Sequence, residues 1–171
     1  LEEVTIYLDT NILSRIPDLR VSESTASALS ALVNLGGIKF VTSQKTRNEI
    51  LRTKNASRGS ILQFIYALIE KVPMQTVYFS GCVGGAPLGA TPLGGDWTDP
   101  LWADLKTIFD PDDAEHIVHA IRSNCDYFLT LDEKTILDRA KFNQDAVGKM
   151  SGRLKYVSPE ELVAMIKNKR A

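Results

Sequence analysis

Val4-Thr5-Ile6-Tyr7-Leu8-Asp9 is a strand-like apolar run that ends on an acid, and Asp126-Tyr127-Phe128-Leu129-Thr130-Leu131-Asp132 repeats the pattern far along the chain. In an open parallel sheet both Asp9 and Asp132 surface at the carboxyl edge, where such folds place their ligands. Between the two runs the sequence alternates helix-like and strand-like stretches. Parallel strands need crossovers of about a dozen residues or more, usually helical. The reading is therefore an α/β fold, a three-layer sandwich with a mainly parallel central sheet.

Working outward, Thr10 to Arg15 reads as a short helical turn before Pro17, and Ser22 to Leu35 as a helix with Ala28, Leu29, Leu32 and Val33 on its apolar side. Ile38 to Thr42 is a second strand, with Ser43 as the expected N-cap of a helix carrying Glu49. A further helix from Ser57 repeats Ile61, Phe64, Ile65, Leu68 and Ile69 up to Pro73, and Val77-Tyr78-Phe79 reads as a third strand. The Gly/Pro-rich stretch at about 80–100 is a loop, flanked by Trp97 and Trp102. Pro111 to Ser123 and Glu133 to Phe142 are helical, and Leu154 to Val157 is the last strand. Ser158-Pro159-Glu160-Glu161 then gives an N-cap, a first-turn proline and a capping-box Glu for a C-terminal helix at about 159–169.

This organisation gathers Asp9, Glu49, Asp113 and Asp132 at one cleft. Taken singly, each acid has a plain structural role: Asp9 and Asp132 as helix caps, Asp113 as a first-turn acid after Asp110, Glu49 as a solvated helix residue. Taken together they repel, by about 4 kcal/mol for two carboxylates ~4 Å apart at an effective dielectric near 20. No cation adjacent in sequence offers obvious relief, so either their pKa values rise or a cation sits among them. All-oxygen donors favour Mg²⁺ or Mn²⁺ over zinc. Lys45, Arg47, Arg52, Lys54 and Arg58 crowd around Glu49 and are candidates for holding a phosphate backbone, with a solvated helix face as the plain alternative. Asp112 and Glu115 read as solvated acids beside Asp113, with contact to a metal through water as the alternative for either. His116 and His119 read as packing or surface residues, with His116 a supporting residue at most.

Bulk properties narrow the classes. The 171 residues suit one domain, and 44% hydrophobic with 24% charged side chains is ordinary globular composition. Net charge is −1, so the chain lacks the strongly basic balance common in polyanion binders, though bases cluster near Glu49 and acids at 96–115. Cys82 and Cys125 show no metal or redox spacing. The absence of a long apolar stretch or a signal pattern points to a soluble cytoplasmic protein, with Leu1 suggesting a missing initiator segment. No glycine-rich turn follows the first strand, which excludes a dinucleotide site. Asn11 stands where a dehalogenase-type phosphatase needs a second Asp.

Tyr7-Leu8-Asp9-Thr10-Asn11-Ile12-Leu13, Asp113-Ala114-Glu115-His116-Ile117-Val118-His119-Ala120 and Phe128-Leu129-Thr130-Leu131-Asp132 resemble, in order and spacing, the three landmark motifs of the PIN-domain ribonucleases. The resemblance runs from about residue 4 to about residue 137. It implies a Mg²⁺- or Mn²⁺-dependent endoribonuclease acting on single-stranded or structured RNA. Asp9, Glu49, Asp113 and Asp132 would be the metal-binding and catalytic acids, with Glu70 the alternative to Glu49 as the second acid. Asn11 and Thr130 would support the acids by hydrogen bonding. Toxin–antitoxin pairing and homodimers in the family imply an antitoxin-like partner or a second copy, although the loop at 80–100 and the terminal helix depart from the compact toxin pattern. The competing reading is a PIN-like module that binds RNA or protein without cutting.

Overall fold

The computed structural model describes residues 3–15, 20–72 and 99–170. Pro17, Pro73, Cys82, Trp97, the predicted strand Val77-Tyr78-Phe79 and nearly all of the Gly/Pro-rich loop lie outside the described residues.

The described chain runs β1 (Val4–Leu8), α1 (Thr10–Arg15), α2 (Glu23–Asn34), β2 (Ile38–Thr42), α3 (Gln44–Leu51), α4 (Ala56–Leu68), β3 (Glu70–Lys71) and α5 (Pro100–Leu105). It continues through α6 (Pro111–Arg122), β4 (Tyr127–Leu129), a π-helical turn (Glu133–Leu137), α7 (Asp138–Phe142), α8 (Gln144–Ser151), β5 (Lys155–Val157) and α9 (Pro159–Arg170). The five strands form one sheet in the order β3-β2-β1-β4-β5, every pairing parallel. Winding starts at β1, proceeds outward through β2 and β3, then returns to the other side of β1 for β4 and β5. The order therefore reverses between β1 and β4. Crossovers on the two sides of that line leave in opposite directions, opening a crevice at the carboxyl ends of these two strands.

Strand alternation builds the layers. Ile6 and Leu8 of β1 and Tyr127 and Leu129 of β4 pack with Ile12, Leu13, Leu32, Leu162 and Ile166 of α1, α2 and α9. Tyr7 and Phe128 face the opposite way, onto Leu105, Phe109, Ile117, Ala140 and Val147 from α5 to α8. Both sheet faces are covered, which is why these strands read as unbroken apolar runs and not as alternating ones. Tyr7 and Phe128 stack at 5.4 Å between ring centroids, tying the two central strands together. The terminal capping box forms as its residues suggest: Ser158 N–H donates to Glu161 Oε2 at 3.0 Å and Glu161 N–H to Ser158 Oγ at 3.2 Å.

Three expectations are corrected. Val33 is 72% exposed, and on α4 Ile61, Phe64 and Leu68 are exposed while Gly59, Leu62 and Tyr66 face inward. The buried side of α4 is chosen by contact with Ile50 of α3, not by the largest count of apolar residues along the helix. Ser43 occupies the N-cap position of α3 without making a side-chain cap bond; its hydroxyl lies 2.6 Å from the Tyr7 hydroxyl instead. Finally, β3, α5 and α8 are elements the sequence reading lacks.

Candidate active site

At the β1–β4 crevice the ladder extends past the strand ends, since Asp9 N–H donates to Leu129 O at 3.1 Å. This fixes Asp9 beside Thr130. Thr130 Oγ1 donates to Asp9 Oδ2 at 2.7 Å, and Asn11 Nδ2 donates to the same oxygen at 2.6 Å and to Thr130 Oγ1 at 2.8 Å. Asn11 Oδ1 in turn accepts from Leu131 N–H at 3.0 Å, and Thr130 Oγ1 accepts from Asp132 N–H at 3.0 Å. Every hydrogen of the Asn11 amide and the Thr130 hydroxyl is thereby used, and one Asp9 oxygen is held by two donors. Asn11 and Thr130 are thus both joined by hydrogen bonds to Asp9 and to each other.

Asp132 caps the helical segment that follows, accepting from Thr135 N–H at 2.8 Å through Oδ1. Thr135 Oγ1 also reaches Asp113 Oδ2 at 3.4 Å, which links α6 to the β4 edge. Asp113 is raised to about 6 from an ordinary 3.8, by burial first, then by the negative charges of Asp9, Asp132 and Asp110. Asp9 is raised as well, chiefly by burial, against the lowering pull of His116 and the Thr130 hydrogen bond. Asp113 thus stands within electrostatic range of both Asp9 and Asp132. Among the described residues no group of three or more His, Cys, Asp or Glu side chains is close enough to enclose an ion as it stands.

Glu49 approaches the same site from α3, near enough for its charge to raise Asp9, but its carboxylate is engaged elsewhere. Oε1 lies 3.0 Å from His116 Nε2, and His116 Nδ1 lies 2.8 Å from the Tyr7 hydroxyl. His116 is 2% exposed. Burial alone would lower its pKa, yet the Glu49 hydrogen bond and the charges of Asp9 and Glu49 raise it. A protonated imidazole donates from both nitrogens, leaving the Tyr7 hydroxyl to donate to Ser43. Glu70, the alternative second acid, sits on the edge strand in an ion pair with Lys39 at 2.7 Å, apart from this cluster.

Charge placement differs from expectation around Lys45. Its ammonium is buried and meets Asp112 Oδ1 at 2.5 Å, Glu115 Oε2 at 2.8 Å and Glu49 Oε1 at 3.9 Å. Lys45 is therefore an internal counter-charge, Asp112 and Glu115 are paired, and Glu49 does have a neighbouring cation. The reason is spatial: α3 packs beside α6, joining residues 67 positions apart. Arg47, Arg52 and Lys54 are exposed, Arg47 beside Tyr66 and Lys71 on the rim of a recess of about 310 Å³.

Sequence reasoning also missed a cleft of about 460 Å³ that reaches Thr130 and Leu131 and is bordered by Arg15, Arg20, Ser22, Ser24 and Glu133. Arg15 ends α1 and Arg20 precedes α2, so the two bases converge only through the fold. Glu160, on the same cleft, accepts from Thr25 Oγ1 at 2.6 Å.

No protein-family model matches the chain, and no curated protein matches it at a significant level. Among the described residues no helix is long and apolar enough to cross a membrane.

Proposed function

We propose that the chain is a Mg²⁺- or Mn²⁺-dependent endoribonuclease of the PIN type. The observation that supports this reading is Asp113, near the point where strand order reverses, with its carboxyl pushed up to about 6 by burial and then by the charges of Asp9, Asp132 and Asp110. Carboxylates held in mutual repulsion by a rigid hydrogen-bond frame weaken the fold unless a cation relieves them. Hard oxygen donors suit Mg²⁺ or Mn²⁺, and Asp9, Asp113 and Asp132 would hold the ion. Bound there, it would orient a phosphodiester and lower the pKa of a water.

The chain's own residues supply the rest. Asn11 and Thr130 keep one Asp9 oxygen directed and leave the other for the ion. Arg15 and Arg20, on the cleft that reaches Thr130, are placed to neutralise phosphates of a strand entering the site. Replacing both with alanine is expected to weaken binding of a single-stranded oligoribonucleotide, and to reduce the slope of log K against log salt by about 0.7 for each phosphate no longer neutralised. Fluorescence anisotropy in Ca²⁺ at several salt concentrations measures this. An Arg52→Ala/Lys54→Ala variant is the comparison; a larger loss there would move the nucleic-acid path to α3.

Cleavage itself is tested by incubating end-labelled RNA with Mn²⁺, Mg²⁺ or EDTA. The expected result is cutting that depends on the ion and stops with chelation. The second reading, a module that binds RNA without cutting, draws support from the engagement of the Glu49 carboxylate by His116. Binding with no cleavage under either ion would establish it in place of the enzyme.

A further inference from the structure

The cleft of about 460 Å³ that reaches Thr130 is lined by charges of both signs, Arg15 and Arg20 against Glu133 and Glu160. A purely anionic ligand would be drawn by the arginines and opposed by the carboxylates. A ligand that carries both a phosphate and hydroxyl donors suits all four. The volume is that of a site for one small ligand or one residue of a longer chain.

Of the two acids, Glu160 has a built frame. Thr25 Oγ1 donates to its Oε1 at 2.6 Å, and Ser24 Oγ donates to the same oxygen at 3.3 Å. Thr25 is buried, and with its proton spent on Glu160 it accepts from Ser22 Oγ at 2.8 Å. This frame ties the start of α2 to the first turn of α9. Among the described residues no donor is paired with the other oxygen, Oε2. A carboxylate beside a phosphate-binding element is one way in which proteins hold the ribose hydroxyls of a nucleotide. The 2′-hydroxyl is also the group by which a protein tells RNA from DNA. Thr130, which holds Asp9, lines the same cleft, so a nucleotide seated there adjoins the candidate active site.

We infer that this cleft is a ribonucleotide subsite, in which Arg15 and Arg20 take the phosphate and Glu160 accepts from the 2′-hydroxyl, so that the chain prefers RNA to DNA. This rests on the proposed nucleic-acid reading, and not on a metal ion or on cleavage.

The test is fluorescence anisotropy of the full chain in EDTA, at one salt concentration, with three end-labelled strands that differ only in the sugar: oligouridylate, oligodeoxyuridylate and 2′-O-methyl oligouridylate. The methylated strand keeps an oxygen at the 2′ position and lacks the donor. The native protein is expected to bind oligouridylate about tenfold more tightly than either of the others, the effect of one hydrogen bond to a charged group. Glu160→Ala should bring the three affinities together by weakening the ribose strand alone, whereas Arg15→Ala/Arg20→Ala should weaken all three and leave their ratio. Equal affinities in the native protein, a methylated strand that binds like the ribose one, a preference that survives Glu160→Ala, or no binding of any strand overturns the inference. Ion-dependent RNA cleavage alongside equal affinities upholds the enzyme and sinks the subsite. A ribose preference lost in Glu160→Ala, with no cleavage under Mn²⁺ or Mg²⁺, does the reverse. Should circular dichroism show Glu160→Ala unfolded, Glu160→Gln decides: a reduced preference supports the inference, and an unchanged one overturns it.

Discussion

Asp113→Asn is expected to abolish metal-dependent RNA cleavage and, at the same time, to make the metal-free protein more stable at pH 8. The loss of activity should exceed the 10- to 100-fold typical of removing a group that merely supports a ligand, because Asp113 would touch the ion itself. The gain in stability follows from the raised pKa. Asp113 titrates near 6 in the folded chain against 3.8 as its ordinary value, so the folded state holds the proton more tightly than the unfolded state does. Its contribution to stability is full below pH 3.8 and is lost as pH rises through about 6. At about 1.4 kcal/mol per pH unit between folded and unfolded values, the ionised group would cost about 3 kcal/mol with no water nearby. Because Asp113 is partly reached by solvent, about 1–2 kcal/mol is expected. Asparagine carries no charge at any pH, so the advantage of the variant should appear above pH 6 and vanish near pH 4. Urea unfolding in EDTA at the two pH values measures it. A variant less stable than native at pH 8, or a gain undiminished at pH 4, would show that the acids do not repel one another.

Thr130→Val is expected to be the most damaging conservative substitution in the site. Valine matches threonine in shape, but at a fully buried position it removes the oxygen on which three hydrogen bonds meet. Asp9 Oδ2 would keep one donor of two, and Asn11 Nδ2 and Asp132 N–H would each lose an acceptor. Leaving buried polar groups unpaired costs about 1–3 kcal/mol each where water cannot enter, so about 2–4 kcal/mol in total is a reasonable expectation with partial relaxation. Cleavage should fall about 10- to 100-fold through misplacement of Asp9. Thr130→Ser keeps the hydroxyl and should retain most activity, losing stability mainly through the missing methyl group. Equal activity in the Ser and Val variants would remove Thr130 from the supporting role.

The order in which information enters this fold is visible in particular residues. Val4 to Leu8 and Tyr127 to Leu129 declare themselves as buried strands because both faces of a parallel sheet are covered, and Asp9 follows its strand directly. Ser158 and Glu161 declare a helix start because the capping box is completed within four residues. Asn11 and Thr130 stand out through the motifs around them, although the amide and hydroxyl that join them are 119 positions apart. The inward face of α4 is not legible in the same way, because Ile61, Phe64 and Leu68 are as apolar as Leu62 and Tyr66, and only the position of α3 decides which of them is covered.

By itself, then, the chain determines four of the five described strands, most of the described helices and the acids at the ends of β1 and β4, since these depend on the propensity and periodicity of neighbouring residues. What tertiary structure alone decides is which charges meet. Lys45 joins Asp112 and Glu115, His116 joins Glu49 and Tyr7, and Arg15 and Arg20 share a cleft with Thr130, each through the packing of helices distant in sequence. Coulomb energy and hydrogen bonding depend on separations of a few ångströms in space, and those are fixed only when α3 and α6 pack together beside the sheet.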